Sequence, residues 1–209
     1  MEDGEERLCA SCWTTLRRVE KNDYTYKIME QRFHDAGIVD GFYPLYYFEK
    51  NGVFQTLAHN LKYQEIRSFG VALGKNLGAY LKEIQTEFDC IIPVPLNLKK
   101  LRDRGYNQAE RIAYGVSSVT AVPVKEKIVE RIRYTQTQTK LNAEERKLNV
   151  DSAFAVRNTD AVQGKAILIV DDVITTGATI QEIAGVLKTS GAAKTYIASA
   201  GLAKLGDDV

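Results

Sequence analysis

The spacing of hydrophobic and polar residues divides the chain into two parts. Residues 1–41 keep neither a helical nor a strand period, so we expect an irregular N-terminal segment there. Residues 42–209 are periodic and are predicted to form one domain. Within this domain, the pattern of residues 42–85 predicts a strand followed by two helices. Residues 86–205 are predicted to form the core of the domain.

The domain begins with an aromatic run that is typical of a strand. The stretch FYPLYYFEKNG predicts a strand or hairpin arm that ends in the turn Asn51-Gly52. We interpret its aromatic side chains as core packing rather than as stacking platforms for bases, because strands favour such residues on structural grounds. Two amphipathic helices should follow, with apolar residues at helical spacing. These residues are Phe54, Leu57, Ala58 and Leu61 in the first helix, and Ile66, Phe69, Leu73, Leu77 and Leu81 in the second.

Strands and helices alternate from residue 86 onward. The apolar runs FDCIIPV, KIVERI, SAFAV, KAILIV and KTYIASAGLA predict strands. Helices are predicted where apolar residues lie on one face, at Ala109, Ile112, Ala113 and Val116 and again at Ile180, Ile183, Ala184 and Leu187. The stretch LNLKKLRDRG is predicted to be a basic loop, and the polar residues 133–148 a long mobile connection. This order predicts an α/β fold, with a mostly parallel sheet covered by helices on both faces.

Composition and charge limit the classes of protein to which the chain can belong. Apolar residues make up 44% and charged residues 26%, and the net charge of +1 gives no general reason to expect nucleic acid or an anionic membrane. No apolar run reaches the ~20 residues of a membrane helix, and the acidic N-terminus lacks the pattern of a signal peptide. We therefore expect a cytoplasmic protein. Three cysteines, with Cys90 in a buried strand, do not predict a disulfide framework.

The stretch ILIVDDVITTGAT contains the strongest candidate site. Two carboxylates follow a predicted buried strand, and a loop of small and hydroxyl-bearing residues opens the next helix. Ligands of parallel sheets bind beyond the carboxyl ends of the strands, and a helix N-terminus offers unpaired N–H groups to a phosphate. An acidic turn that only caps a helix is the alternative. The pattern predicts a sugar-phosphate site at Asp171, Asp172, Thr175, Thr176, Gly177, Ala178 and Thr179.

This stretch resembles the phosphoribosyl pyrophosphate (PRPP) signature of type I phosphoribosyltransferases. Three further stretches, VFQTLAHNLKY, IIPVPLNLKKLRDRGYNQA and QTQTKLNAEERKLNVDSAFAV, are similar to the ComF family. Together these segments are spread over about 150 residues. The resemblance implies a type I phosphoribosyltransferase fold, with a twisted and mostly parallel sheet, and a link to DNA uptake during natural competence.

The resemblance also implies roles for individual residues. Asp171 and Asp172 would hold the ribose 2′ and 3′ hydroxyls of PRPP, and residues 175–179 would bind its 5′-phosphate. Mg²⁺ would be bound together with PRPP. The loop after IIPVP would contact the pyrophosphate, and its candidate residues are Lys99, Lys100, Arg102 and Arg104. A closing lid is expected over such a site, and residues 133–147 have the length and polarity for it. Lys140 and Arg146 are its candidate contacts.

Cys9 and Cys12 form a C-x-x-C pair. ComF relatives usually carry two such pairs in an N-terminal zinc module, and a structural zinc site needs four ligands. The present pair is half of such a site. Zinc is therefore expected only if a second pair exists outside this sequence.

Two functions from different classes remain open. The first is an enzyme that transfers the phosphoribosyl group of PRPP to an unidentified nitrogenous acceptor with release of pyrophosphate. The second is a non-catalytic module of the competence system that senses PRPP or a nucleotide, or handles single-stranded DNA. The basic residues at 99–104 and 131–147 could line a groove for such a strand.

Overall fold

The computed structural model describes residues 13–49, 52, 54, 67–96, 98–132 and 153–205. This part of the chain contains five named helices and six strands. The helices are α1 (Tyr24–Asp35), α2 (Arg67–Glu83), α3 (Leu98–Arg104), α4 (Gln108–Thr120) and α5 (Ala178–Thr189). The strands are β1 (Gly41–Phe48), β2 (Cys90–Pro93), β3 (Val129–Arg131), β4 (Phe154–Val156), β5 (Ala166–Ile174) and β6 (Lys194–Ala203).

A four-stranded parallel sheet with the order β1-β6-β5-β2 forms the centre of the fold. The strands β3 and β4 form a separate antiparallel pair. Residues 17–19 lie along the outer edge of β1, because Tyr47 N–H donates to the carbonyl of Arg17 and Val19 N–H donates to the carbonyl of Leu45. The prediction of a mostly parallel α/β sheet is confirmed.

The core lies on both faces of this sheet. Alternate residues of β5 point to opposite faces, so that Ile167 and Ile169 pack with α1 and α5, whereas Leu168 and Val170 pack with α2 and α4. Helices therefore cover both faces, as predicted. The aromatic residues of β1 belong to this core, which confirms their interpretation as packing residues; Phe42, Tyr46, Tyr47 and Phe48 are all buried.

The helix α1 lies within the segment that was predicted to be irregular, so that prediction is wrong for these residues. Asp23 caps the helix, and its Oδ1 accepts a hydrogen bond of 2.8 Å from the N–H of Thr25. Tyr26, Met29 and Phe33 form a buried face at helical spacing. Only three buried apolar positions repeat at this spacing, and the apolar Ile28 lies off the buried face, so the sequence alone does not show a clear helical period.

The basic stretch after β2 was predicted to be a loop, and this prediction is also wrong. Residues 98–104 form α3, none of whose residues is buried. A helix without a buried face has no apolar period by which the sequence could indicate it. The predicted first helix after β1, apart from Phe54, and the connection at 133–148, lie outside the described residues.

Candidate functional site

The strand β5 extends beyond the end of its neighbour β2. The candidate site lies where β5 no longer has a partner on that side. Pro93 and Val170 are the last paired residues of β2 and β5. On its other side β5 stays paired with β6, from Asp171 opposite Ser199 as far as Ile174. The acid pair was predicted to lie where the strand leaves the sheet. It lies instead within β5, beyond the end of β2, where only one neighbouring strand remains.

Backbone hydrogen bonds hold the two carboxylates of the site. The N–H of Asp172 donates to Oδ1 of Asp171 over 2.8 Å, and the N–H of Val173 donates to Oδ1 of Asp172 over 2.7 Å. Both aspartates are half-buried. Two like charges are thus fixed side by side, an arrangement that favours a ligand able to donate hydrogen bonds to them.

The loop after β5 forms a small cup at the N-terminus of α5. A cavity of about 80 Å³ is lined by Asp171 and by residues 173–180. Thr175, Thr176 and Ala178 are exposed there, whereas Gly177 is buried and has the left-handed φ of +76°. Gly177, the N-cap residue of α5, has no side chain to cap the helix, and Oγ1 of Thr176 accepts a 3.4 Å hydrogen bond from the N–H of Ala178. The next N–H groups of the first turn and the positive end of the helix dipole lie at the cup, as a phosphate site requires.

The helix α1 supports this loop from below. A Cβ at Gly177 would lie 2.7 Å from Cζ of Phe33 and 2.8 Å from Cε of Met29. Arg32 Nη1 donates a hydrogen bond of 2.7 Å to the carbonyl of Thr176. Gly177 therefore avoids a clash with α1 and takes a backbone conformation that is unfavourable for other residues. Sequence reasoning missed this contribution of α1 altogether.

A larger cleft of about 200 Å³ joins the acid pair to the loop and helices after β2. It brings Lys100 and Arg104 to the same cavity as Asp171 and Asp172. Lys99 and Arg102 are exposed on α3 and are not among its lining residues. The described lining residues are Val94, Pro95, Leu96, Lys100, Arg104, Asn107, Gln108, Ala109, Arg131, Asp171, Asp172 and Thr179.

Two polar lining residues, Asn107 and Gln108, were not predicted, and Arg131 was predicted only as part of a basic stretch that could line a groove for single-stranded DNA. Asn107 caps α4 through a 3.1 Å hydrogen bond from Ala109 N–H, and its Nδ2 donates to the carbonyl of Val94 over 2.9 Å. An asparagine before an apolar helical run is a capping signal that the sequence did contain. Arg131 ends β3, and its guanidinium lies 5.1 Å from the ring centre of Phe154, in cation–π contact.

The charges of the cleft are mixed. Lys100, Arg104 and Arg131 contribute three cations, and Asp171 and Asp172 contribute two carboxylates. Beside the cleft, burial raises the pKa of the Glu110 carboxyl above its ordinary value, although Asn107 Nδ2 donates a 3.3 Å hydrogen bond to it. The cleft therefore has groups for both anionic and hydroxyl-bearing parts of one ligand.

Some predicted site residues lie outside the described residues. These are the candidate lid contacts Lys140 and Arg146 and the cysteines Cys9 and Cys12, whose roles stay predictions. Within the described ranges, no three His, Cys, Asp or Glu side chains are grouped to hold a metal ion. No helix in these ranges has the length and hydropathy needed to cross a membrane.

Comparisons with known proteins identify the family of the chain. The family model of the phosphoribosyl transferase domain matches residues 101–207. The chain is 38% identical to competence protein F of Haemophilus influenzae over 104 residues, which is 49% of this chain and 45% of that protein. It is 33% identical to the DNA utilization protein YhgH of Salmonella typhi over 149 residues, which is 68% of this chain and 63% of that protein.

A solved structure with a similar fold is glutamine PRPP amidotransferase from B. subtilis, complexed with ADP and GMP. It has 22% identity and a TM-score of 0.47, and the match covers 64% of this chain and 26% of that one. The matched regions span between 45% and 63% of the length of the two curated relatives. The family model covers just over half of the chain. The chain therefore belongs to the phosphoribosyl transferase domain family, as a phosphoribosyltransferase-like protein of the ComF type.

Proposed function

We propose that this protein binds PRPP together with Mg²⁺ and transfers its phosphoribosyl group to a nitrogenous acceptor, with release of pyrophosphate. One observation carries the proposal. The carboxylates of Asp171 and Asp172 lie on the same cleft as the cations Lys100 and Arg104, and this cleft adjoins the N-terminus of α5. A ligand with vicinal hydroxyls, a terminal phosphate and a second anionic group fits this distribution of charge.

The acid pair and the adjoining cup would bind the ribose 5-phosphate part of the substrate. Asp171 and Asp172 would accept hydrogen bonds from the 2′ and 3′ hydroxyls. Backbone N–H groups already fix both carboxylates, which reduces the entropy that binding costs. The 5′-phosphate would lie against residues 175–179, where the helix dipole and the N–H groups favour an anion.

The transfer itself requires charge stabilisation rather than a protein nucleophile. The bond between C1′ and the pyrophosphate oxygen breaks, and its electron pair leaves with pyrophosphate. The nitrogen lone pair of the acceptor forms the new bond to C1′, and the acceptor loses a proton to solvent. Positive charge develops on the ribose beside Asp171 and Asp172, and negative charge develops on the leaving group beside Lys100 and Arg104. Fixed charges of both signs lower the barrier of such a step.

Mg²⁺ enters this proposal with the substrate. It prefers oxygen ligands, and in many enzymes one or two carboxylates hold it together with substrate phosphates and water. Asp171 and Asp172 supply such a pair, whereas the described residues offer no cluster of three ligating side chains. When bound, the ion would neutralise part of the pyrophosphate charge.

Two measurements test the proposal in sequence. Calorimetry with PRPP and Mg²⁺ should show binding to the wild-type chain. A pyrophosphate-release assay against a panel of nucleobases and amines should then identify an acceptor. The variant with Asp171→Asn and Asp172→Asn serves as the negative control for both measurements. A wild-type chain that binds no PRPP at millimolar concentration would refute the proposal.

The second candidate is a binding module, and the surface of α3 favours it. Leu98 is 56% exposed, and the neighbouring Lys99 and Arg102 are exposed as well. Proteins that bind single-stranded DNA use a cationic groove that follows the DNA backbone, and Lys99 and Arg102 would contribute cations to such a groove. The names competence protein F and DNA utilization protein belong to two relatives. PRPP binding without pyrophosphate release, together with salt-sensitive binding of single-stranded DNA, would favour this candidate over the enzyme.

A further inference from the structure

Gln108, the first residue of α4, is a buried polar side chain in the wall of the cleft. It is only 1% exposed, and its Nε2 has no hydrogen-bond partner among the described residues. A buried donor without a partner is costly, and most such groups in proteins are satisfied. Its position beside a ligand cleft points to a ligand atom that accepts the hydrogen bond.

The preceding residue provides a direct comparison. Asn107 is also buried, with 4% exposure, but both ends of its amide are satisfied. Its Nδ2 donates to the carbonyl of Val94, and its Oδ1 accepts from the N–H of Ala109. Asn107 therefore serves the fold, as the cap of α4, whereas the structure gives the nitrogen of Gln108 no comparable role.

Arg104 determines which end of the Gln108 amide lacks a partner. Its Nη1 donates to Oε1 of Gln108 over 3.1 Å. A guanidinium carries only donors, so the amide oxygen must face Arg104 and the nitrogen must face away from it. The unpaired group is therefore a donor, and exchange of the two amide ends would place two donors against each other.

The charges around Gln108 indicate the class of ligand. Lys100, Arg104 and Arg131 line the same cleft, so a further N–H donor at this position adds to an anion site. Hydrogen bonds from such donors to charged oxygens are stronger than those to neutral acceptors. The surroundings favour a phosphate oxygen over an uncharged base.

We propose that Gln108 is a pyrophosphate-binding residue. Its Oε1 orients Arg104, and its Nε2 donates a hydrogen bond to an oxygen of the diphosphate group. The inference rests on the proposed function and extends it, because it assigns the recognition of the leaving group to a neutral side chain as well as to the cations.

Calorimetry on the full chain tests this assignment, with inorganic pyrophosphate and ribose 5-phosphate as separate probes. Gln108→Leu removes both the donor to pyrophosphate and the acceptor that orients Arg104, and should weaken pyrophosphate binding about tenfold or more. Ribose 5-phosphate binding should change by less than about twofold, since its groups contact α5 and the acid pair. The melting temperature should stay the same or rise, because an unpaired buried donor is removed.

A second variant and a matched control complete the experiment. Gln108→Glu retains an oxygen for Arg104 but replaces the donor by a negative charge, so it should weaken pyrophosphate binding more than Gln108→Leu does. Gln163→Glu makes the same charge change at an exposed residue before the amino end of β5 and should leave both affinities unchanged.

The possible results separate the inference from the proposed function. Equal losses for both probes, a lower melting temperature of Gln108→Leu, or unchanged pyrophosphate binding in both variants would overturn the inference. A wild-type chain that binds ribose 5-phosphate but not pyrophosphate would also overturn it, while leaving the ribose site intact. A wild-type chain that binds neither probe would overturn the proposed function together with the inference.

Discussion

Arg32 and Thr176 are 144 residues apart in the sequence, yet Arg32 Nη1 donates a 2.7 Å hydrogen bond to the Thr176 carbonyl. The same helix places Phe33 and Met29 directly beneath Gly177. The loop that opens α5 is therefore held by α1 as well as by its own strand and helix. The N-terminal part of the chain is thus a structural component of the candidate phosphate site.

Removal of the Arg32 guanidinium should loosen this loop. For Arg32→Met we expect the affinity for ribose 5-phosphate to fall about fivefold, the equivalent of roughly 1 kcal/mol for one hydrogen bond. The melting temperature should change little, because Arg32 is exposed. Calorimetry measures the affinity. Lys27→Met removes the same charge from an exposed position on α1 and should have no effect; equal losses in both variants would indicate long-range charge instead of the hydrogen bond.

Substitution of Gly177 should destabilise the fold as well as the site. Its φ of +76° disfavours any side chain, and a Cβ would meet Phe33 and Met29 at less than 3 Å. We expect Gly177→Ala to lower the free energy of unfolding by about 2 to 4 kcal/mol, the sum of backbone strain and overpacking. Urea denaturation measures this quantity.

Substitutions of two other glycines separate the cost of backbone strain from the cost of overpacking. Gly105 has a similar φ of +73° but open space around its Cβ position, so Gly105→Ala should show only the backbone cost of about 1 to 2 kcal/mol. Gly185 lies inside α5, and its Cβ would approach Ile38 only to 3.8 Å. Gly185→Ala should therefore stabilise the protein by about 0.5 to 1 kcal/mol. Equal losses for Gly177→Ala and Gly105→Ala would contradict close support of the loop by α1.

The acid pair should be dispensable for folding. In the double variant with Asp171→Asn and Asp172→Asn, each amide oxygen still accepts the N–H that its carboxylate accepts now. Relief of the repulsion between two like charges should keep the melting temperature unchanged or raise it. PRPP binding should weaken about tenfold or more, because uncharged oxygens accept hydroxyl hydrogen bonds less strongly. Scanning calorimetry and titration with PRPP and Mg²⁺ give the two values, and a loss of folding stability would indicate that the acid pair serves the fold by holding the backbone of β5.

Local sequence signals explain why the centre of the site was predictable. The run from Ile167 to Val170 alternates between the two faces of the sheet and is apolar on both. The acids, the threonines and Gly177 follow it within a few residues, so strand, loop and helix start are all encoded in one short stretch. The prediction therefore required no knowledge of the contacts between distant segments.

The remaining parts of the site depend on such contacts. The buried face of α1 rests on three apolar residues, and its role follows from Arg32 reaching a carbonyl far along the chain. The helix α3 buries no residue and gives no periodic signal. Gln108 and Arg131 enter the cleft only because β2 ends short of β5 and because β3 lies near this opening. No local pattern in the sequence reports these distances.

We expect only the basic residues of α3 that line the cleft to contribute to the binding of pyrophosphate. Arg104 is half-buried, lines the cleft and donates to Gln108, whereas Arg102 on the same helix is exposed and is not a lining residue. Arg104→Gln should therefore weaken the binding of inorganic pyrophosphate about tenfold or more, since a charge-assisted contact is lost. Arg102→Gln removes the same charge two residues away and should change that affinity by less than about twofold, because exposed charges are screened by solvent and salt. Calorimetry at two salt concentrations distinguishes a direct contact from a screened charge, because the contribution of a screened charge to the affinity falls as salt is added, whereas that of a direct contact persists.

If both variants lost equal affinity, the helix would act as a general cationic surface, which is the property expected of the binding module rather than of the enzyme.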